Sequence, residues 1–168
     1  MKKLLLGFLG LVLVTCSVWA IEAKYMIQPQ FDDARSFSEE LAAVKVGGKW
    51  GFINTSGKIV INPRFDRVKN FSEGLAPVWA GDLFGGKWGY ISKNGEYAIQ
   101  PQFDDAHPFS EGLAAVKMGG NWGFINITGQ IVINPQYGEA GDFAEGLAPV
   151  WTGGVFGGKW GYISKSER

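Results

Sequence analysis

One short motif occurs four times and sets the organisation of the whole chain. It consists of a Gly-Gly pair, one polar residue, Trp-Gly and an aromatic residue with Ile, at residues 47–53, 85–91, 119–125 and 157–163. A longer and a shorter interval alternate between these motifs, so the full period is a doublet of two units that occurs twice. Residues 25–93 and 97–165, the two doublets, are identical at about 49 of 69 positions. Such a chain is expected to fold as a repeat array, because a unit this small cannot bury a core alone.

Each unit has the pattern of three antiparallel β-strands. Residues 41–46 are small and β-branched, Gly47-Gly48 is a two-residue hairpin turn, and residues 49–54 form a second strand. A turn ending in Gly57 leads to a third strand at residues 58–62, which Pro63 is expected to end. The sequence therefore predicts an all-β chain of four meander units, at about residues 27–60, 61–98, 99–132 and 133–165.

The repeated tryptophan is predicted to be a packing residue. Alternation along the second strand places Trp50 and Phe52 on one face and Gly51 and Ile53 on the other. Three short strands need a neighbouring unit to cover such a face, so the units are expected to stack. The predicted structural core of the repeat comprises Trp50, Trp88, Trp122 and Trp160.

The two ends of the repeat array do not match. Residues 24–31 copy a third strand without its hairpin, and the last unit has a hairpin without a third strand. An open, solenoid-like array is the predicted architecture. The alternative is a small closed ring like a four-bladed propeller, in which the N-terminal strand completes the last unit.

The first twenty residues are typical of a secretory leader. Lys2 and Lys3 precede an apolar run that is short for a membrane span, and Ala20 fits a cleavage site. The only cysteine, Cys16, lies in a stretch similar to a bacterial lipobox, although Thr15 departs from that pattern. We expect an exported protein that is periplasmic, secreted or at the cell surface. Membrane attachment is expected only if Cys16 is lipidated.

The composition excludes several classes of function. Lys and Arg number 16 against 16 Asp and Glu, with no basic cluster, so nucleic acid is not an expected partner. His107 is the only histidine and its counterpart in the first doublet is Arg35, which argues against a catalytic base. Acidic residues such as Asp104 and Glu111 recur at unit spacing, which favours turn capping over catalysis. No catalytic residue, metal site or cofactor is predicted.

The two kinds of unit differ in one informative way. The shorter units carry Lys45 and Lys117 where the longer units carry tryptophan, and the longer hairpins add four residues. These extra aromatic residues are not needed by every unit, so they are the candidates for two equivalent exposed patches that contact a ligand or partner. The alternative is that the longer loops fold back over their own rings. The candidate residues are Trp79, Phe84, Trp151 and Phe156.

Four parts of the repeat form a recognisable pattern: Lys-Trp-Gly-Tyr-Ile at residues 87–91, Gly95, the Ile-Gln-Pro-Gln-Phe-Asp segment at 99–104, and Phe-Ser-Glu-Gly-Leu-Ala at 109–114. With these parts the repeated segments resemble the bacterial WG repeat, also called the KWG repeat. Departures are Glu40 in place of Gly, Asn121 in place of Lys, and Tyr137-Gly138 in place of Phe-Asp. The resemblance implies an all-β array that acts as an interaction module, and it names no ligand.

The expected function is therefore an exported, non-enzymatic module for protein–protein interaction or scaffolding at the bacterial envelope. Binding of carbohydrate or cell-wall polysaccharide through exposed aromatic rings is the first alternative. A hydrolase that uses Asp or Glu is the second, and it would need a cleft with carboxylates in unlike surroundings.

Overall fold

A computed structural model describes residues 23–82, 85–154 and 157–165. Within them the chain is all β and its strands form four antiparallel sheets, one for each repeat unit. Of the sequence-based predictions, the leader, Cys16, Phe84 and Phe156 lie outside the described residues. The described residues contain no helix that is long and apolar enough to cross a membrane.

The four sheets, called units one to four, follow one another along the chain. Unit one contains β1 Asp33–Ala34, β2 Leu41–Val46, β3 Lys49–Asn54 and β4 Ile59–Phe65. Unit two contains β5 Arg67–Val68, β6 Leu75–Asp82, β7 Gly85–Ser92 and β8 Tyr97–Phe103. Unit three contains β9 Asp105–Ala106, β10 Leu113–Met118, β11 Asn121–Asn126 and β12 Ile131–Tyr137. Unit four contains β13 Glu139–Ala140, β14 Leu147–Gly154 and β15 Gly157–Ser164.

The predicted three-stranded meander is confirmed, with two differences. A two-residue strand precedes each hairpin. The sequence could not predict these strands, because two residues are too few to show an alternation of apolar and polar side chains. The third strand also continues through Pro63 to Phe65, although Pro63 was expected to end it. It can continue because β4 is an edge strand, so the missing proline N–H costs the sheet no hydrogen bond.

The glycine of Trp-Gly lies under an irregularity in the third strand. Between the pairs Trp50–Phe65 and Phe52–Ile61, β4 has extra residues and its backbone bulges across β3. A Cβ atom on Gly51 would lie 2.6 Å from the backbone nitrogen of Pro63. The motif needs glycine here because the neighbouring backbone occupies the place of a side chain.

The units stack face to face in an open array. The face of unit one that carries Trp50 and Phe52 packs against Val78 and Ile91 of unit two. The second and third interfaces are built in the same way, so each core layer belongs to two consecutive units. The predicted open array is thus confirmed, and the described sheets do not close into a ring: unit four has three strands, and residues 23–32 belong to no sheet.

The Phe-Ser-Glu-Gly segment, which is Phe-Ser-Glu-Glu in unit one, joins consecutive units by hydrogen bonds. Ser38 Oγ donates to the backbone oxygen of Phe71 at 2.7 Å, and the Glu39 carboxylate accepts from the Gly74 N–H at 3.0 Å. The same bonds recur at the next two boundaries between units, as Ser72–Phe109 and Ser110–Phe143 and as Glu73–Gly112 and Glu111–Gly146. These carboxylates therefore cap turns, as the sequence predicted, and each of these turns belongs to the next unit, which the sequence did not indicate.

Candidate partner-binding surfaces

The motif tryptophans differ in their burial. Trp50, Trp88 and Trp122 are buried between units. Trp160 is 60% exposed, so the prediction that all four rings belong to the core fails at this residue. The physical reason is that no described residue packs on the face of unit four that carries this ring.

Trp79 lies half-buried on the long hairpin of unit two. It is the cross-strand partner of Trp88, with ring centroids 5.9 Å apart at an interplanar angle of 70°. The Arg67 guanidinium lies 5.4 Å from the indole centroid, and a Cβ on Gly86 would come within 2.6 Å of the indole. One part of the ring therefore rests on the hairpin backbone, which leaves only the remaining part open to a partner.

Trp151 occupies the same position in unit four but has different neighbours. Gly158, which corresponds to Gly86, packs on this indole as Gly86 does on that of Trp79. The difference is Gly138, in the place of Asp66, which packs so closely on the ring that a Cβ would overlap it. The residue that corresponds to Arg67 is Glu139, so no guanidinium from that position covers the ring. The predicted pair of equivalent exposed patches is therefore corrected: both indoles are half-buried, and their surroundings are not equivalent.

His107 has a structural role in unit three and at its boundary with unit four. Its ring packs edge-on against Trp122 with centroids 4.8 Å apart, and its Nδ1 lies 2.8 Å from the Asp142 carboxylate of unit four. Arg35 occupies the corresponding place in unit one, where its guanidinium lies 5.1 Å from the Trp50 centroid. Histidine and arginine can replace each other here because both lay a planar, polar group against the indole.

Two pairs of exposed aliphatic residues, each pair on an edge strand, form what we call the edge patches. The first edge patch is Ile59 and Val60 on β4, and the second is Ile131 and Val132 on β12. All four side chains are exposed, and both strands lie at the edge of their sheet. The patches occupy equivalent positions in the two doublets, so the duplicated chain presents one surface twice.

A polar rim accompanies each edge patch. A groove of about 390 Å³ lies beside Val60, and Leu41, Glu39 and Lys93 also line it. Lys93 Nζ lies 3.1 Å from the Glu39 carboxylate, and at the second patch Lys165 Nζ lies 3.0 Å from that of Glu111. Apolar side chains beside a groove with fixed charges are typical of a surface that binds a protein segment.

The two ends of the array expose further apolar residues. The C-terminal face consists of Leu147, Trp160 and Tyr162 of unit four, which are 46%, 60% and 73% exposed. The same positions of unit two, Leu75, Trp88 and Tyr90, are only 7%, 7% and 0% exposed. The N-terminal groove, of about 310 Å³, lies at the other end and is lined chiefly by Ile27, Phe31, Phe37, Ala42, Val44 and Ile53. Phe37 is exposed there, whereas Ala42, Val44 and Ile53 are buried beneath Ile27 and Phe31.

In the part of the chain that the structure describes, three ionisable groups have shifted pKa values, each with a structural cause. The hydrogen bond from Lys87 lowers the pKa of Asp104, and that from Lys165 lowers the pKa of Glu111. Burial raises the pKa of Tyr90, whose hydroxyl donates to the backbone oxygen of His107 at 2.7 Å. All three groups link strands or units. Among the described residues, no cluster of three or more His, Cys, Asp or Glu side chains could hold a metal ion.

Taken together, the stacked meanders and their exposed faces define an all-β repeat module. The family model for the WG containing repeat matches four times, at residues 22–50, 50–78, 88–122 and 122–155. These matches cover most of the chain, which therefore belongs to the WG-repeat family. No curated protein and no solved structure shows significant similarity to it.

Proposed function

We propose that this WG-repeat chain is an exported, non-enzymatic module that binds protein partners at the bacterial envelope through its two edge patches. The observation that carries the proposal is the recurrence of exposed aliphatic side chains on the edge strands of both short units, Val60 on β4 and Val132 on β12. Exposed apolar side chains beside a groove with a polar rim favour a protein partner.

The geometry of a patch suits an extended segment of the partner. An edge strand leaves one side of its backbone unpaired, and a segment can lie along it while one of its side chains enters the neighbouring groove. Pro63 and the bulge around it limit pairing to the first residues of β4. Each patch therefore contacts only a short stretch of the partner. Because both patches belong to one chain, binding at the first raises the effective concentration of the partner at the second, which strengthens overall binding.

Photo-crosslinking in the bacterium of origin tests the proposal. A photoreactive amino acid replaces Val60 or Val132, and the control replaces Lys49, which is exposed at the other end of the sheet and does not line the groove beside Val60. We expect both patch positions to crosslink to the same protein band and the control to give less of it. Val60→Asp combined with Val132→Asp should abolish co-purification of that protein. If neither patch position gives a discrete protein crosslink, the proposal is wrong.

Export is tested independently on the same samples. Cell fractionation and the intact mass of the purified chain show whether the leader is removed and whether a lipid is attached at Cys16. An unprocessed chain in the cytoplasm would contradict the envelope location and leave the binding test unaffected.

Polysaccharide binding is a second candidate because Trp160 and Tyr162 present exposed rings on one face. Retention on purified cell-wall polysaccharide is compared for the wild type, the Trp160→Ala variant and a double variant with Trp79→Ala and Trp151→Ala. Unchanged retention in all three proteins would exclude binding through these rings.

A further inference from the structure

The interface between units two and three shows how two WG units recognise each other. Leu75, Trp88 and Tyr90 of unit two pack against Phe109, Ala114, Val116 and Ile125 of unit three. β8, at residues 97–103, pairs with β7, so that Trp88 faces Phe103, Tyr90 faces Ile99 and Ile91 faces Tyr97. The Tyr90 hydroxyl also donates to the backbone oxygen of His107. Most of this interface is apolar and buried.

Within the described chain, the two ends of the array carry the same two surfaces without a partner unit, and at the N-terminal end Ile27 and Phe31 already cover part of the surface. The C-terminal face repeats the unit-two side with the same residue types at the equivalent positions of the second doublet. The N-terminal groove repeats the unit-three side in the first doublet: Phe37, Ala42, Val44 and Ile53 correspond to Phe109, Ala114, Val116 and Ile125. Phe37 is 46% exposed, whereas Phe109 is only 1% exposed.

The segment before unit one already lies where a pairing strand would be needed. Residues 25–31 match β8 at every position except Met26, which replaces Ala98. Ile27 lies against Gly57, with 3.0 Å from its Cγ2 to a Cβ built on the glycine. Ile99 of β8 lies against Gly129 in the same way, at 3.1 Å. The segment thus has the position of a preceding unit's third strand, and it pairs with no strand of the described chain.

We propose that the C-terminal face binds the N-terminal groove of a second copy of this chain, head to tail. Residues 25–31 of the second copy pair with β15 as β8 pairs with β7. Trp160 then faces Phe31, Tyr162 faces Ile27, and Ile163 faces Tyr25 of the second copy. The Tyr162 hydroxyl reaches the backbone oxygen of Arg35, which corresponds to that of His107.

A second copy fits better than an unrelated protein, because surfaces with the same apolar residue types already pack against each other between units two and three of each chain. The copied interface lacks two hydrogen bonds of the original, since Ala144 replaces Ser72 and Gly141 replaces Lys69, which binds Asp105. It also carries Glu40 in place of Gly112. Association should therefore be weaker than unit stacking and should depend on concentration. The two surfaces differ, so each added copy leaves one of each open, and the product is a growing filament or a ring.

Sedimentation velocity of the protein expressed from its full coding sequence tests the proposal. We expect the mean mass to rise with concentration through the micromolar range and to exceed that of a dimer. Tyr162→Asp on the C-terminal face and Phe37→Asp in the N-terminal groove should each give a monomer. Val132→Asp on the second edge patch is the matched control and should assemble like the wild type.

Mixing the two blocked variants gives the decisive result. The Tyr162→Asp variant keeps its groove and the Phe37→Asp variant keeps its C-terminal face, so an equimolar mixture should form dimers and nothing larger. Circular dichroism and urea unfolding of each variant at low concentration establish that the monomers are folded. A wild type that stays monomeric throughout, or assembly that neither substitution prevents, would overturn the proposal. The edge-patch crosslinks are unaffected by either outcome, so the proposed function is tested separately.

Discussion

A Cβ atom placed on Gly89 would lie 2.7 Å from the backbone nitrogen of Pro101 on the neighbouring strand. The same relation holds for Gly51 with Pro63 and for Gly123 with Pro135, at 2.6 Å in both. The glycine of Trp-Gly and the backbone of the Ile-x-Pro segment are therefore in direct contact, which explains why the two motifs occur together in a unit. The tryptophan fills the layer between units, and the glycine lets the bulged strand cross within its own unit.

The first prediction concerns this contact. Gly89→Ala should lower the free energy of unfolding by about 1–3 kcal/mol, because the methyl group meets fixed backbone atoms. Gly161→Ala is the matched control, since a Cβ there would have nothing within 4 Å. We expect the control to change stability by less than about 0.5 kcal/mol. Urea unfolding followed by tryptophan fluorescence measures both, and equal losses would contradict the explanation of the motif.

The second prediction compares two tryptophans of identical motif context. Trp88 is buried between units two and three, whereas Trp160 lies on the open C-terminal face. Trp88→Ala should cost about 3–5 kcal/mol through the lost packing and the cavity it leaves. Trp160→Ala should cost less than about 1 kcal/mol in the monomer. Unfolding is measured at low protein concentration so that self-association does not contribute to the apparent stability.

Most of the fold follows from local sequence patterns. Alternation placed Trp50 and Phe52 on one face, and glycine pairs marked turns that have positive φ, at +57° and +82° for Gly47 and Gly48. Local sequence patterns did not predict the short first strands or the continuation of the third strand past Pro63, because both depend on pairing with neighbouring strands. Edge position decides whether a proline ends a strand, and a single unit's sequence does not contain that information.

The candidate surfaces were harder to predict than the fold. Trp160 has the same local sequence as Trp88, and only the presence or absence of a covering unit separates their environments. Trp79 and Trp151 also share a local sequence, yet Arg67 covers one ring and Gly138 contacts the other. Comparison of the two doublets could have found this signal, because Arg67 aligns with Glu139 and Asp66 aligns with Gly138.

The third prediction concerns the turn before β2. Glu40 has φ +70°, a left-handed conformation that the corresponding Gly74 and Gly112 adopt at +83° and +81°. Glu40→Gly should therefore stabilise the protein by about 1 kcal/mol, because glycine has no Cβ that resists this conformation. The reverse change, Gly112→Glu, should destabilise it by a similar amount. Thermal unfolding of the two variants measures the opposite shifts, and a destabilised Glu40→Gly variant would show that the Glu40 side chain has a structural role.

The fourth prediction concerns the pH dependence of stability. Lys87 donates a hydrogen bond to Asp104, whose other carboxylate oxygen accepts from the Gly119 N–H at 2.8 Å. The Lys87 bond is the main cause of the lowered pKa of this carboxyl. A lowered pKa in the folded state means that the ionised carboxylate stabilises the fold above its unfolded pKa of about 4. The stabilisation is lost as the pH falls through the folded-state pKa.

Asp104→Asn tests this dependence, because asparagine keeps the shape and an acceptor for Gly119 while removing the charge. At pH 7 the wild type should have a higher urea midpoint than the variant, and at pH 3 the difference should shrink because Asp104 becomes protonated. High salt should also reduce the difference at pH 7, since the pair is solvent-exposed and its charges are screened. In a Lys87→Met background the Asn substitution should have a smaller effect at pH 7. A difference of the same size at both pH values would mean that Asp104 contributes through hydrogen bonding to the turn alone, without the charge.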